Sequence, residues 1–249
     1  MKKILIVWLF FITLCLCSEK YIYTYQTHFK TPLGSFKAGE NIITVSLAGD
    51  IQNDLLPQPL RGIELTSTSR ITNSLIKSFY SVQDSTHIFM YNDMSLREVY
   101  KSIKEKKKPL KIYESIVKKD SIYYSRSTDA IKTSHTIFNP FQSIYNAFGI
   151  IFNFSKKINC TNSAISNEYF FNEYRKGKIR PIYLTMIYEE RIQSPYGEKD
   201  CFILSTTELD DQVEKGDMKI WIAKDTQDPI KVETQTKNGL LTLLLESIE

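Results

Sequence analysis

Short stretches in which apolar and polar residues alternate, each ended by a cluster of Asp, Asn, Gly or Lys, recur along this chain. A period of two sends successive side chains to opposite faces, so the pattern constrains most of the chain to half-buried β-strands. Between Ile42 and Leu47, the residues Ile43, Val45 and Leu47 share one face, and Thr44 and Ser46 the other. Gly62 to Thr72 repeats the pattern, with Ile63 and Leu65 opposed to Glu64, Thr66, Thr68, Arg70 and Thr72. Threonine suits the solvated face of a pleated sheet. Further β-branched and aromatic runs span Phe79–Val82, Thr86–Tyr91, Lys111–Val117 and Ser121–Ser125, and Tyr169–Phe171 and Ile179–Ile192 form a pair around Gly177. Met218–Ala223, Ile230–Thr236 and Leu240–Leu245 read as a closing meander. Asn238-Gly239 provides its hairpin turn, because both residue types tolerate positive φ.

One segment breaks the period. Asn139 can cap a helix, Pro140 suits its first position, and Phe141, Ile144, Tyr145 and Phe148 follow at helical spacing before Gly149. This predicts a helix over 140–148 laid on the sheet. Ser95 to Ile103 carries two signals, since Leu96, Val99, Tyr100 and Ile103 have helical spacing behind a Ser95/Glu98 capping box, yet strands flank it on both sides. The chain has 249 residues, 42% of them hydrophobic, and only 9 glycines, which excludes disordered and Gly-rich classes. Aromatic residues are abundant instead, with 15 Tyr and 14 Phe. On strands they serve as core, and they also suit the lining of a hydrophobic ligand cavity.

Met1-Lys2-Lys3 precedes an apolar run from Ile4 to Cys17, interrupted only by Thr13. A membrane span needs roughly 17–25 apolar residues, so this shorter run reads as a secretory signal peptide over 1–17. Cys15 and Cys17 are small residues suited to a cut before Ser18; lipid attachment at one of them is the competing reading, though leucine precedes both. Without Lys2 and Lys3 the remainder carries 30 basic and 28 acidic residues, net +2, which provides no nucleic-acid footprint. Of the four cysteines, Cys160 and Cys201 would then remain in an oxidising compartment as a candidate disulfide; the alternative is two small buried hydrophobes.

Chemistry-bearing residues do not assemble into a motif. His28, His87 and His135 stand apart, with no metal-ligand spacing, and no nucleophile elbow, phosphate loop or dinucleotide fingerprint occurs. No cofactor, metal or catalytic residue is expected. A hydrolase assembled from scattered residues stays open as the third reading, because triads are defined by geometry. Lys101, Lys104, Lys106, Lys107, Lys108 and Lys111 form a basic run broken by Glu105; it reads as a contact for anionic headgroups or as a solvated turn that protects a sheet edge. Glu208, Asp210, Asp211 and Glu214 read as a solvated loop.

The order of these segments resembles a bacterial exported-protein family, domain of unknown function 3108. Met218-Lys-Ile-Trp-Ile-Ala-Lys-Asp225, Asp228-Pro-Ile-Lys-Val-Glu233 and Asn238-Gly-Leu-Leu-Thr-Leu look like its closing pattern. Phe79-Tyr-Ser-Val-Gln-Asp84 with Asp93 and Leu96 is similar to its Val-Arg-Asp strand, with Gln83 in place of Arg. Asn139-Pro-Phe-Gln-Ser-Ile-Tyr145 resembles its helix start, and Pro32-Leu-Gly34 and Lys37-Ala-Gly39 its early turns. The resemblance implies a mainly β fold, a curved antiparallel sheet or open barrel with one packed helix, in the periplasm. It also tips Ser95–Ile103 toward strand, and it brings no catalytic residues. The expectation is one β-rich domain over 18–249 that binds a lipid or other hydrophobic ligand without enzymatic chemistry, with peripheral membrane contact. The alternative is a scaffold or assembly factor that pairs with another envelope protein.

Overall fold

A computed structural model describes residues 20–249 apart from 33, 52–59, 75–76, 78–81, 142, 160–167, 176, 209–217 and 237–238. Fourteen strands and one long helix follow in order: β1 (Lys20–Thr31), β2 (Gly34–Ile51), β3 (Leu60–Ile71), β4 (Val82–Tyr91), β5 (Leu96–Glu105), β6 (Lys111–Val117), β7 (Ser121–Ser127), β8 (Lys132–Phe138), α1 (Ala147–Asn159), β9 (Glu168–Arg175), β10 (Lys178–Ser194), β11 (Gly197–Glu208), β12 (Met218–Ala223), β13 (Pro229–Thr236) and β14 (Gly239–Ile248). All strands join one antiparallel sheet in the order β8 to β1 and then β14 to β9. Two meanders therefore meet in the middle, where β1 pairs with β14 from Tyr23↔Ile248 to Lys30↔Leu240. The outer strands β8 and β9 are not hydrogen-bonded to each other, so the sheet is curved but open.

Three contacts bring the two halves together across the interior. Ser115 Oγ on β6 and Tyr174 OH on β9 share a 2.9 Å hydrogen bond. The ring of Tyr124 on β7 lies against Gly177, in the β9–β10 turn. The segment before α1 ties β5 to the edge of β9: Leu96 N donates to Ile144 O at 2.7 Å, and Tyr145 exchanges backbone bonds with Asn172 and Tyr174.

The interior holds two apolar clusters. The larger gathers Tyr25, Leu65, Ile88, Met90, Leu96 and Leu245 with Cys201, Ile203, Trp221 and Ala223. The smaller joins Ile150 and Ile151 of α1 to Phe171, Leu184, Leu204, Ile220 and Ile222. Register places Ile203 opposite Trp221 and Leu204 opposite Ile220, so β11 and β12 are buried on both faces.

The helix lies later than the spacing of Phe141, Ile144, Tyr145 and Phe148 predicts. Residues 143–146 are extended, with Tyr145 in a bridge to Glu173, and α1 starts at Ala147. Asn139 Oδ1 accepts from Phe141 N at 3.3 Å in a local turn, while Asn146 Oδ1 accepts from Gly149 N at 2.9 Å and is the real cap. Gly149 is no stop: it sits in the first turn of α1, and a Cβ there would come within 2.8 Å of Met94 O. The backbone needs that close approach to seat α1 on the β4–β5 connection.

From Leu96 on, this segment is strand β5, and Ser95 precedes it. Ser95 is held by Asp93, whose Oδ1 accepts from its N and Oγ, and β5 pairs with β4 and β6 on either side. Ladder hydrogen bonds on both edges outweigh the local helical spacing. Gly239, expected in a turn with Asn238, instead pairs with Thr236 as the first residue of β14; Asn238 lies outside the described residues. The segment 1–17, Cys160, most of Phe79–Val82, and Asp210, Asp211 and Glu214 likewise lie outside them.

Candidate functional site

A cavity of about 450 Å³ opens between β4–β7 on one side and β9–β13 with the start of α1 on the other. Its character follows from register, because directly opposed residues share a face of the sheet. Polar residues occupy two adjacent rows: Asn41↔Ser69 and Ser69↔Asp84 across β2 to β4, and Ser67↔Thr86, Thr86↔Lys101, Lys101↔Tyr113 and Tyr113↔Arg126 across β3 to β7. Two residues along the strands, the parallel row runs Val45↔Leu65, Leu65↔Ile88 and Ile88↔Val99. The same inner face is thus apolar toward one end of the strands and polar toward the other, and the cavity lies where the two meet.

The polar rows are largely satisfied from within. Asn41 Nδ2 donates to Ser67 Oγ at 3.1 Å and to Ser69 Oγ at 2.5 Å. Thr86 Oγ1 donates to Asp84 Oδ1 at 3.3 Å, and Lys101 Nζ pairs with Asp84 Oδ2 at 2.6 Å. Opposite, Thr206 Oγ1 accepts from Met218 N at 3.2 Å. Such satisfaction is what permits buried polar side chains beside a core. Ile88, Val99, Ile103, Phe148, Ile182 and Met218 complete the apolar lining. Burial raises the phenol pKa values of Tyr124 and Tyr174, so both are neutral donors at physiological pH.

The basic run divides by alternation. Lys101 points into the cavity, while Lys108 and Lys111 both bond Glu105 and hold its carboxyl down to about 2. Lys107 occupies the β5–β6 turn with φ 59°.

The three histidines are scattered over β1, β4 and β8. His28 Nε2 meets Gln26 Oε1 at 3.3 Å, His87 Nε2 meets Glu64 Oε1 at 2.5 Å, and the His135 ring packs at a tilt of 56° against Tyr124 with ring centroids 5.1 Å apart. Among the described residues no three His, Cys, Asp or Glu side chains gather as a metal site. Cys201 is fully buried on β11, and burial pushes its thiol up to about 11; its expected partner Cys160 lies outside the described residues. The aromatic abundance suits a ligand cavity, but the sequence does not say which residues line it. The alternation of β4 and β5 signals which residues share a face, but not which distant strands lie across from them.

The family model described as protein of unknown function, DUF3108, matches residues 24–246. The chain belongs to that family. The DUF3108 chain is also similar to the crystal structure of a β-barrel-like protein of domain of unknown function DUF1849 from Brucella abortus. The TM-score is 0.58 at 6% identity, over 92% of this chain and 97% of that one. At that identity the likeness speaks for the fold alone, and it agrees with a curved, barrel-like sheet. Looser similarities, with TM-scores of 0.31 and 0.32, reach a protein of YmcC-like fold from Bacteroides fragilis, described as exported, and one from Parabacteroides distasonis, described as a lipoprotein. Identities are 12% and 10%, covering 92% and 93% of this chain and 95% of each of theirs. No curated protein matches the DUF3108 chain.

Proposed function

We propose that this DUF3108 protein is an exported, non-enzymatic envelope protein that takes a lipid or other hydrophobic ligand into its cavity. The observation that carries the reading is the cavity of about 450 Å³ at the boundary between the apolar and polar ends of one inner face. Its volume falls within the ~300–1,000 Å³ usual for small-molecule sites, which are mostly apolar with a few placed polar groups. The basic start and apolar run of residues 1–17 support export to the periplasm. Organic-solvent extraction of protein purified from its native envelope, followed by mass spectrometry, tests the reading. The expected result is a stoichiometric amphiphile; protein that is consistently empty and also fails to take up added lipid would overturn it.

A second reading, as a scaffold that pairs through a strand edge, has its own support. β8 ends the sheet, and six of its seven residues are exposed, with Phe138 at 74% and neighbouring Ile131 at 65%. An uncovered edge offers main-chain groups to an added strand. A photo-crosslinker at Phe138 in intact cells should capture a single protein neighbour under this reading, and capture of none would remove it.

A further inference from the structure

Most cations of this protein with a described partner sit against a carboxylate. Arg70 bonds Glu40, Arg191 bonds Asp200, Lys199 bonds Asp225, Lys224 bonds Glu189 and Lys231 bonds Glu233. The rim of the cavity is different. Arg175, at the end of β9, lines the cavity and is exposed. It stands directly opposite Lys178 across the β9–β10 hairpin, a like-charge pair that costs stability unless something negative sits between. Gly177, between the two, lies against the ring of Tyr124. Arg126 lies two residues beyond Tyr124 on the same face of β7, its guanidinium 5.7 Å above the ring of Tyr113, which also lines the cavity. Among the described residues neither Arg126, Arg175 nor Lys178 has a carboxylate partner. Of the two acids in the lining, Asp84 is bound by Lys101 and Glu173 is buried.

We infer that Arg126, Arg175 and Lys178 form the headgroup site for an anionic single-chain amphiphile whose chain enters the cavity. The inference rests on the ligand-binding reading above and names the ligand's chemical class. A cation trio at the rim would hold a carboxylate or a phosphate monoester by charge-assisted hydrogen bonds, with the two guanidinium groups able to bind in bidentate fashion. Below it, Tyr113 and Tyr124 provide amphipathic surface, and Val99, Phe148, Ile182 and Met218 provide contact for methylenes. A volume of about 450 Å³ lies in the lower part of the usual range for ligand sites, which suits one chain rather than two.

The test titrates the full chain with dodecanoate, dodecyl phosphate, dodecanol, dodecyltrimethylammonium and acetate, each below its micelle concentration, by calorimetry. Dodecanoate or dodecyl phosphate should bind roughly tenfold or more tightly than dodecanol, and the ammonium compound least, because tenfold needs only about 1.4 kcal/mol from the charged head. In the triple variant R126Q/R175Q/K178Q that preference should vanish while dodecanol binding stays, with circular dichroism checking the fold. A single substitution R175Q should give part of the loss, which keeps the test open should the triple variant misfold. Equal binding of dodecanol and dodecanoate would overturn the headgroup site and leave the cavity reading standing. Binding of no amphiphile would overturn both. Acetate as tight as dodecanoate would show an anion site without a chain and would overturn the inference.

Discussion

The two halves of the sheet use the same antiparallel pairing to opposite ends. In β1 to β7 one face is inner and the other outer: Leu65, Ile88 and Met90 are fully or almost fully buried, while Tyr100 on the outward side of β5 is 44% exposed. In β11 and β12 both faces are inside, Ile203 and Trp221 against the larger cluster, Leu204 and Ile220 against α1 and β10. The first half is therefore free to carry polar residues on its inner wall, where Asn41 bonds Ser67 and Ser69, and Asp84 takes Thr86 and Lys101. The second half provides the rigid apolar support on which the helix rests. Burial on both faces explains why Met218–Ala223 shows apolar residues on both sides of its alternation, with Ile220, Trp221, Ile222 and Ala223 in direct succession.

That contrast can be broken by truncation. Leu204→Ala empties a fully buried position between β11 and α1 and should cost roughly 2–5 kcal/mol, the usual penalty of a lost side chain plus the cavity it leaves. Tyr100→Ala on the outer side of β5 should stay within about 1 kcal/mol. Urea unfolding midpoints measure both, and similar losses at the two positions would mean that the halves are not differently buried.

A smaller effect tests whether the halves are coupled across the open seam. Ser115→Ala removes the bond to the buried Tyr174 hydroxyl and should cost about 1 kcal/mol, the net worth of a typical hydrogen bond. Combined with Tyr174→Phe, the double variant should lose less than the two singles added, since each single already breaks the shared bond. Strict additivity in the double-mutant cycle would show that the seam carries no energy.

The smallest expected effect distinguishes the halves by pH. The Glu105 carboxyl is held down to about 2 by its bonds from Lys108 and Lys111. Its pKa is thus lower folded than unfolded, so its contribution is present above about pH 4.3 and fades as pH falls toward 2. Cys201 has the opposite sense: burial pushes its thiol up to about 11, and its contribution fades as pH rises through that value. Melting temperatures of wild type and Glu105→Gln should differ at neutral pH and converge near pH 2. A constant offset across that range would assign the difference to packing rather than charge.

Much of the fold was legible locally. The alternation of Ile42–Leu47, Gly62–Thr72 and Thr86–Tyr91 marks strands because period-two patterning and half burial are the same fact seen twice. Gly177 marks its turn because φ +79° suits glycine. Three strands went unnamed. Lys20–Thr31 carries its buried positions as Tyr23 and Tyr25, whose hydroxyls bond Asp228 Oδ1 and Pro229 O, so its inner face is half polar. Lys132–Phe138 is nearly all exposed and shows little contrast between its faces. The third, Gly197–Glu208, is buried on both faces over Cys201–Leu204, which erases alternation there. The helical spacing of Phe141, Ile144 and Tyr145 misleads because Ile144 and Tyr145 belong to a non-helical segment that bonds Leu96 and β9 and packs its side chains on the core, while Phe141 is exposed.

By itself, then, the sequence determined the strand character of the chain, the meander at its end, the family and the existence of one helix, since each depends on neighbours a few residues away. Only the tertiary structure decided that Lys20–Thr31 pairs with Gly239–Ile248, that β6 and β7 curl to meet β9, and that Arg175 lines the same cavity as Tyr113 and Tyr124. Those juxtapositions join residues about 50 to 220 positions apart, and they arise because a twisted open sheet must bury its inner face against itself. Local alternation specifies which side of a strand is buried; it contains no information on which distant strand will bury it.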